Sequence, residues 1–90
     1  ATGNLNSAAV SSRSVVETAL RFNAAHVVLA HNHPNGVALP SEEDLHTTDR
    51  LFNALAGVTV HLVDHIIVAD NDYVSMADSG YFSMNASYYP

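Results

Sequence analysis

The chain has 90 residues, 48% of them hydrophobic, and it contains no cysteine. This length allows one small domain with its own core, and the lack of thiols excludes disulfides, thiolate metal sites and cysteine nucleophiles. Nine acidic residues oppose three arginines for a net charge of −6, which argues against direct binding of DNA because that binding depends on basic side chains.

The first third of the chain predicts a helix between two strands. Residues 7–10 are apolar enough for a short strand. Ser11 is a typical N-cap for a helix that runs to about Ala24, because the apolar side chains that follow it recur at helical spacing. The β-branched run HVVLAHN at 26–32 is too short for a helix and predicts a buried strand.

A loop and a second helix are predicted next. The segment PNGVALP at 34–40 contains two prolines and an Asn-Gly pair, which are typical of turns. A helix is predicted from Ser41 to about Ala56, and Gly57 closes it. Its predicted apolar face consists of Leu45, Thr48, Leu51, Phe52 and Leu55.

The remaining segments predict strands. Residues 58–64 and 65–70 are rich in β-branched residues and predict strand structure. Residues 71–76 predict a turn into a further strand, so that 65–76 would form a hairpin. The alternation of strands and helices along the whole chain predicts an α/β fold.

Two histidines stand at the end of the strand predicted over 26–32. Side chains alternate along a strand, so His31 and His33 project to the same side, about 6.6 Å apart. Ligands of open α/β sheets bind at such strand ends, and Asp44 offers a carboxylate from the next helix. Two imidazoles and one carboxylate suit Zn²⁺ with a fourth position left for water, which is the catalytic arrangement and gives a nucleophile near neutral pH.

The same residues also have a purely structural interpretation. The segment SEED at 41–44 fits a capping box, in which Ser41 caps the helix and Asp44 returns a hydrogen bond. Acidic side chains in the first turn also complement the helix dipole. A histidine pair at a strand end is likewise more often structural than metal-binding. The two interpretations are compatible, because an aspartate held at a helix start can still direct one oxygen to a metal.

The segment HNHPNGVALPSEEDL follows the pattern H-x-H-x7-S-x2-D and resembles the JAMM (MPN+) metallopeptidase signature, most closely that of the RadC family. GNLNS near the start and LVDHIIVADNDYVSM at 62–76 resemble further blocks of that family. The resemblance implies a mixed sheet with flanking helices, similar to the cytidine deaminase fold. It also implies a single domain over 1–90, truncated at its N-terminus, with 78–90 as a flexible tail.

The resemblance implies that His31, His33 and Asp44 bind zinc and that Ser41 stabilises the oxyanion of a tetrahedral intermediate. JAMM relatives cleave peptide or isopeptide bonds, so we expect a protein substrate with such a linkage. RadC proteins carry a historical DNA-repair label. The catalytic glutamate of the family lies upstream of the segment with which this chain begins. A non-catalytic binding or scaffold module on the same fold therefore stays an alternative.

Four further expectations concern cellular location, assembly, His65 and an alternative fold. No apolar run reaches membrane-spanning length and no secretory leader is evident, so the chain is expected to be cytoplasmic. An uncovered sheet edge favours a homodimer. His65, which follows Asp64, is interpreted as a core histidine. An unrelated His-x-His metal fold such as a cupin is disfavoured, because it would require an all-β pattern.

Overall fold

Helices and strands alternate along this chain, as its hydrophobic pattern predicts. The computed structural model describes the backbone of residues 2–5 and all of residues 11–82. The elements in chain order are β1 (Thr2–Leu5), α1 (Ser12–Arg21), β2 (His26–Asn32), α2 (Glu42–Ala56), β3 (His61–Ala69) and β4 (Asp72–Ser75). The predicted α/β class is therefore confirmed.

The four strands form one mixed sheet in the order β1-β2-β3-β4. β1 pairs with β2 and β2 pairs with β3 in parallel, whereas β4 returns antiparallel to β3. Because parallel strands run the same way, the carboxyl ends of β2 and β3 meet at one edge. There the N–H of His33 donates to the carbonyl of Val68 at 2.7 Å. This is the edge at which open α/β sheets bind ligands.

The core lies between α2 and the sheet. Leu51, Phe52 and Leu55 on one face of α2 are fully buried. Burial of one such side chain stabilises the fold by roughly 1.5 to 3 kcal/mol. This packing holds the first turn of α2 close to the end of β2. The other buried members of the cluster are Ala19, Val27, Leu29, Val60 and Leu62.

Helix α1 ends at Arg21, before the predicted end at Ala24. Asn23 adopts a φ of 52°, a left-handed conformation that asparagine tolerates better than most residues. The N–H of Ala24 then donates back to the carbonyl of Ala19 at 2.9 Å. The prediction to Ala24 was wrong because Asn23 turns the backbone out of the helix.

Strand β3 is one continuous strand over His61–Ala69. The strand structure predicted over 58–64 and 65–70 is therefore confirmed for residues 61–69. Residues 58–60 leave α2 through a turn in which Thr59 has a φ of 62°. The strand does not break in its middle, because it contains no glycine or proline that would end it.

The hairpin predicted over 65–76 is confirmed, since β4 pairs antiparallel with the second half of β3. Strand β1 was not predicted. The strand predicted over 7–10 and the tail beyond Phe82 lie outside the described residues, and the single domain over 1–90 stays a prediction. In the part of the chain that the structure describes, no helix is long and apolar enough to cross a membrane.

Candidate metal centre

The three predicted metal ligands lie together at the carboxyl edge of the sheet. His31 is buried near the end of β2, and the half-buried His33 follows that strand directly. Asp44 lies in the first turn of α2 with 1% of its surface exposed. One ligand atom of each residue lies within 4.8 Å of those of the other two. The structure therefore brings the predicted His-His-Asp group together, and this group could hold a metal ion.

The loop at 34–40 returns the chain from β2 to α2. Gly36 has a φ of 80°, a left-handed conformation that favours glycine. A Cβ atom at this position would lie 2.8 Å from Oδ2 of Asp70, so a side chain fits only if a neighbour shifts. The N–H of Gly36 donates to the carbonyl of His33 at 3.3 Å. The turn residues recognised in the sequence thus produce a tight return.

Ser41 and Asp44 form the predicted capping box. The backbone N–H of Ser41 donates to Oδ2 of Asp44 at 2.8 Å, and the N–H of Asp44 donates to Oγ of Ser41 at 3.1 Å. The second carboxylate oxygen, Oδ1, is left to face His31. The helix cap and the candidate metal ligand are therefore the same side chain.

The environment of Asp44 keeps its carboxyl ionised. Burial alone would raise the pKa of this group, but hydrogen bonds from Ser41 and the nearby His31 and His33 rings outweigh it. The pKa of Asp44 is consequently held below its ordinary value. At neutral pH the site holds a buried carboxylate, which needs a cation or donors around it.

The backbone fixes the orientation of the His33 ring. Its Nδ1 atom lies 2.9 Å from the carbonyl oxygen of Val37, which can only accept, so Nδ1 carries the hydrogen. The opposite atom, Nε2, lies 2.8 Å from Oδ2 of Asp44. With metal, Nε2 would offer its lone pair while the carbonyl orients the imidazole, as is usual for metal-bound histidines.

His31 supplies the clearest sign that the group fits a cation. Its Nδ1 atom lies 2.9 Å from Oδ1 of Asp44. Nevertheless, this buried nitrogen makes no hydrogen bond among the described residues. Its ring also meets that of His33 edge to face, with centroids 4.7 Å apart. A buried nitrogen beside a buried oxygen without a bond between them is costly, and one cation would satisfy both atoms.

Ser41 lies at the solvent-exposed side of this group. Its Oγ already accepts the N–H of Asp44, which holds the hydroxyl next to the carboxylate. The structure thus places Ser41 beside the three candidate ligands, whereas its catalytic role stays a prediction. Ser41 is thus an exposed residue in direct contact with the buried Asp44.

The contact of His65 with this group was not predicted from the sequence. His65 is fully buried, as a core histidine would be, and burial lowers its pKa to about 4, so that the ring is neutral at pH 7. Its ring stacks on that of His31 with centroids 6.1 Å apart. The neighbouring Asp64 accepts from the backbone N–H groups of His65 and Ala77 and does not orient the ring. The only signal in the sequence was a histidine at a buried position of the adjacent strand.

Comparison with known proteins agrees with this geometry. The family model for the RadC-like JAB domain matches residues 1–81. A UPF0758 protein of Photobacterium profundum is 51% identical over 73 residues, which are 81% of this chain and 33% of that protein. A UPF0758 protein of Saccharophagus degradans is 52% identical with the same coverage. The chain spans about one third of the length of these curated relatives. It belongs to the family of RadC-like JAB domains.

Proposed function

We propose that this chain is a zinc-dependent hydrolase domain of the JAMM type that acts on peptide or isopeptide bonds. The observation that carries the proposal is the convergence of His31, His33 and Asp44 within 4.8 Å at the carboxyl edge of the sheet. Two imidazole nitrogens and one carboxylate are a common ligand set of catalytic zinc, which keeps a further position open.

Each residue of the site has a distinct role in this proposal. His31, His33 and Asp44 hold the ion, and the carbonyl of Val37 orients the His33 ring through its Nδ1–H. A zinc ion bound there would supply a Lewis acid that activates water and polarises a carbonyl. Ser41 donates a hydrogen bond to the oxygen that gains charge when the amide carbon is attacked.

A non-catalytic binding module is the second candidate function. Among the described residues, Asp44 is the one carboxylate in the group that could hold a metal. Its Oδ2 is already used by the helix cap and His33, and its Oδ1 faces His31. General acid–base catalysis contributes about 10²- to 10⁴-fold in rate, so a site without a second carboxylate could bind metal and turn over very slowly.

The first test is the zinc content of the purified chain after equilibration with dilute Zn²⁺. We expect about one zinc per wild-type chain and none in His33→Ala, because two remaining ligands hold zinc poorly. His46→Ala is the matched control, since His46 is an exposed histidine on α2 outside the group. Equal zinc content in all three proteins would overturn the proposed site.

Hydrolysis separates the two candidate functions. Zinc-loaded protein is incubated with unstructured peptides and with isopeptide-linked protein pairs, and released amines are quantified. Cleavage that is lost in His33→Ala supports the hydrolase. We expect Ser41→Ala to keep its zinc and lose roughly 10²- to 10³-fold in kcat, as when an oxyanion donor is removed. Bound zinc without any cleavage favours the binding module.

The remaining expectations concern the location and the binding partners of the protein, and they stay predictions. They are a cytoplasmic location, a homodimer and the absence of direct DNA binding. The historical DNA-repair label of the family raises the question whether DNA is a substrate. Titration of duplex DNA with this chain at moderate salt would answer it, because an acidic chain with three arginines neutralises few phosphates.

A further inference from the structure

We propose that His65 and Thr48 position the metal centre by fixing the first turn of α2 relative to the end of β2. This inference rests on the proposed function, since it concerns the geometry of the same His-His-Asp group. His65 lies in β3 and Thr48 in α2, and neither belongs to the group itself. Both would be positioning residues that act through the ligands.

Thr48 is the point at which His65 meets α2. Its Oγ1 lies 2.6 Å from the carbonyl oxygen of Asp44 and 2.6 Å from Nδ1 of His65. Two oxygens this close repel unless a proton lies between them, so the hydroxyl donates to the carbonyl. The hydroxyl has no second proton, and Nδ1 must therefore carry the hydrogen that it donates to Thr48. Hydrogen bonds thus run from His65 through Thr48 to the backbone of Asp44.

The same imidazole supports the other side of the metal group. The ring of His65 stacks on that of His31 with 26° between the planes. His31 in turn faces Asp44, with 2.9 Å between its Nδ1 and the carboxylate Oδ1. His65 therefore contacts one candidate ligand through its ring face and a second one through its Nδ1–H and Thr48. A shift of this ring would change the separation of His31 and Asp44.

Stability alone does not account for this buried pair. His65 is 0% exposed and Thr48 is 2% exposed, and Nε2 of His65 has no hydrogen-bond partner among the described residues. An unpaired buried polar atom costs free energy, whereas an apolar side chain of similar volume fills the space without that cost. A histidine at this position can donate a hydrogen bond to Thr48 of α2, one turn after Asp44, and a leucine cannot.

The primary test removes the Thr48 hydroxyl and measures the Kd for Zn²⁺ alone. Metal-free full chain is titrated in competition with a chelator at neutral pH, for wild type, Thr48→Val and the control Thr47→Val. Thr47 is a buried threonine of the same helix that takes no part in this network. We expect the Kd to rise about 10- to 100-fold in Thr48→Val, as when a residue that orients a ligand is lost, and to stay unchanged in the control.

A double variant distinguishes positioning from loss of stability. Thr48→Val leaves the Nδ1–H of His65 buried without an acceptor, so its metal-free Tm should fall. In Thr48→Val/His65→Leu no polar atom remains to be satisfied, and we expect the Tm to recover while the Kd stays raised. Thr48→Ser keeps the hydroxyl and should restore the wild-type Kd. The visible spectrum of bound Co²⁺ should change in the double variant and return in Thr48→Ser.

The outcomes separate this inference from the proposed function. A wild-type chain that binds no Zn²⁺ overturns both. A wild-type chain that binds Zn²⁺, together with an unchanged Kd in Thr48→Val, overturns the inference and leaves the metal site standing. Recovery of both Tm and Kd in the double variant also overturns it, because affinity would then follow stability alone.

Discussion

Helices α1 and α2 both begin after a serine whose hydroxyl accepts the N–H of the third residue of the helix. In α1 that residue is Ser14, and the first turn contains no acid. In α2 it is Asp44, whose carboxylate returns a hydrogen bond to Ser41 and faces the two histidines. One difference at the same helical position separates an ordinary cap from a candidate metal ligand.

The two helices also differ in how much of them the core covers. α1 buries one residue, Ala19, and leaves Leu20 54% exposed. α2 buries six residues, among them Asp44 at one end and Leu55 at the other. A buried carboxylate is held more rigidly when the core fixes its helix along its length. Packing of α2 against the core is therefore a condition for the metal centre. Helix α1 mainly shields the core from solvent.

The largest expected effect tests this difference in packing. Phe52→Ala should lower the free energy of unfolding by about 3 to 5 kcal/mol, because it leaves a cavity in a fully buried site. Leu20→Ala, its counterpart on α1, should change it by about 0.5 kcal/mol or less. Urea unfolding of the metal-free proteins measures both values. Similar losses in the two variants would contradict the assigned roles of the helices.

A second prediction concerns the ion that α2 is proposed to hold. At a free zinc concentration of 100 times Kd, the wild-type chain should gain about 2.7 kcal/mol of stability. Asp44→Asn should gain almost nothing, because the amide lacks the charge that a zinc ligand needs. Ser14→Ala, the change at the matched position of α1, should keep the full gain. Thermal unfolding with and without Zn²⁺ gives the comparison, and equal gains in all three chains would remove Asp44 from the site.

The two serine caps provide a finer test. Ser11→Ala and Ser41→Ala should each cost about 1 kcal/mol in the metal-free protein, since each removes one acceptor for a helix N–H. Ser41→Ala should nevertheless keep its zinc, because the backbone N–H of Ser41 still holds Asp44. Loss of zinc from this variant would mean that the hydroxyl itself shapes the ligand group. Calorimetric titration of both variants with Zn²⁺ decides the point.

The smallest effect is expected on the surface of α1. Arg13 and Glu17 form an ion pair at 2.9 Å, with 88% and 56% of their side chains exposed. Because water screens such a pair, Arg13→Ala should change the free energy of unfolding by about 0.5 kcal/mol or less. A clearly larger loss of unfolding free energy would show that α1 does more than shield the core from solvent.

The sequence predicted those parts of the molecule that depend on local rules. The capping box at Ser41, the turn residues around Gly36 and the alternation along β2 were enough to place His31, His33 and Asp44 together. Each of these signals operates within a few residues of chain. The resemblance to the RadC family rests in part on these same residues and assigned them the same role.

The features that the sequence did not reveal depend on a choice between competing local conformations or on packing between distant segments. The early end of α1 depends on Asn23 taking a left-handed conformation, which competes with continued helix. The stacking of His65 on His31 depends on the pairing of β3 with β2. No residue near His65 in the sequence indicates that pairing. In the sequence, a buried histidine that contacts the site therefore cannot be distinguished from any other core residue.

The tight return at 34–40 has a consequence for the order of folding. All three candidate ligands belong to one strand–loop–helix unit between residues 31 and 44, whereas β1 must find β2 with Thr2 opposite Val28. Closing a short loop costs less chain entropy and proceeds faster than joining distant strands. We expect the ligand unit to assemble before the outer strand joins the sheet. A divalent ion taken up at that stage would act as a nucleus of folding, before any substrate is present.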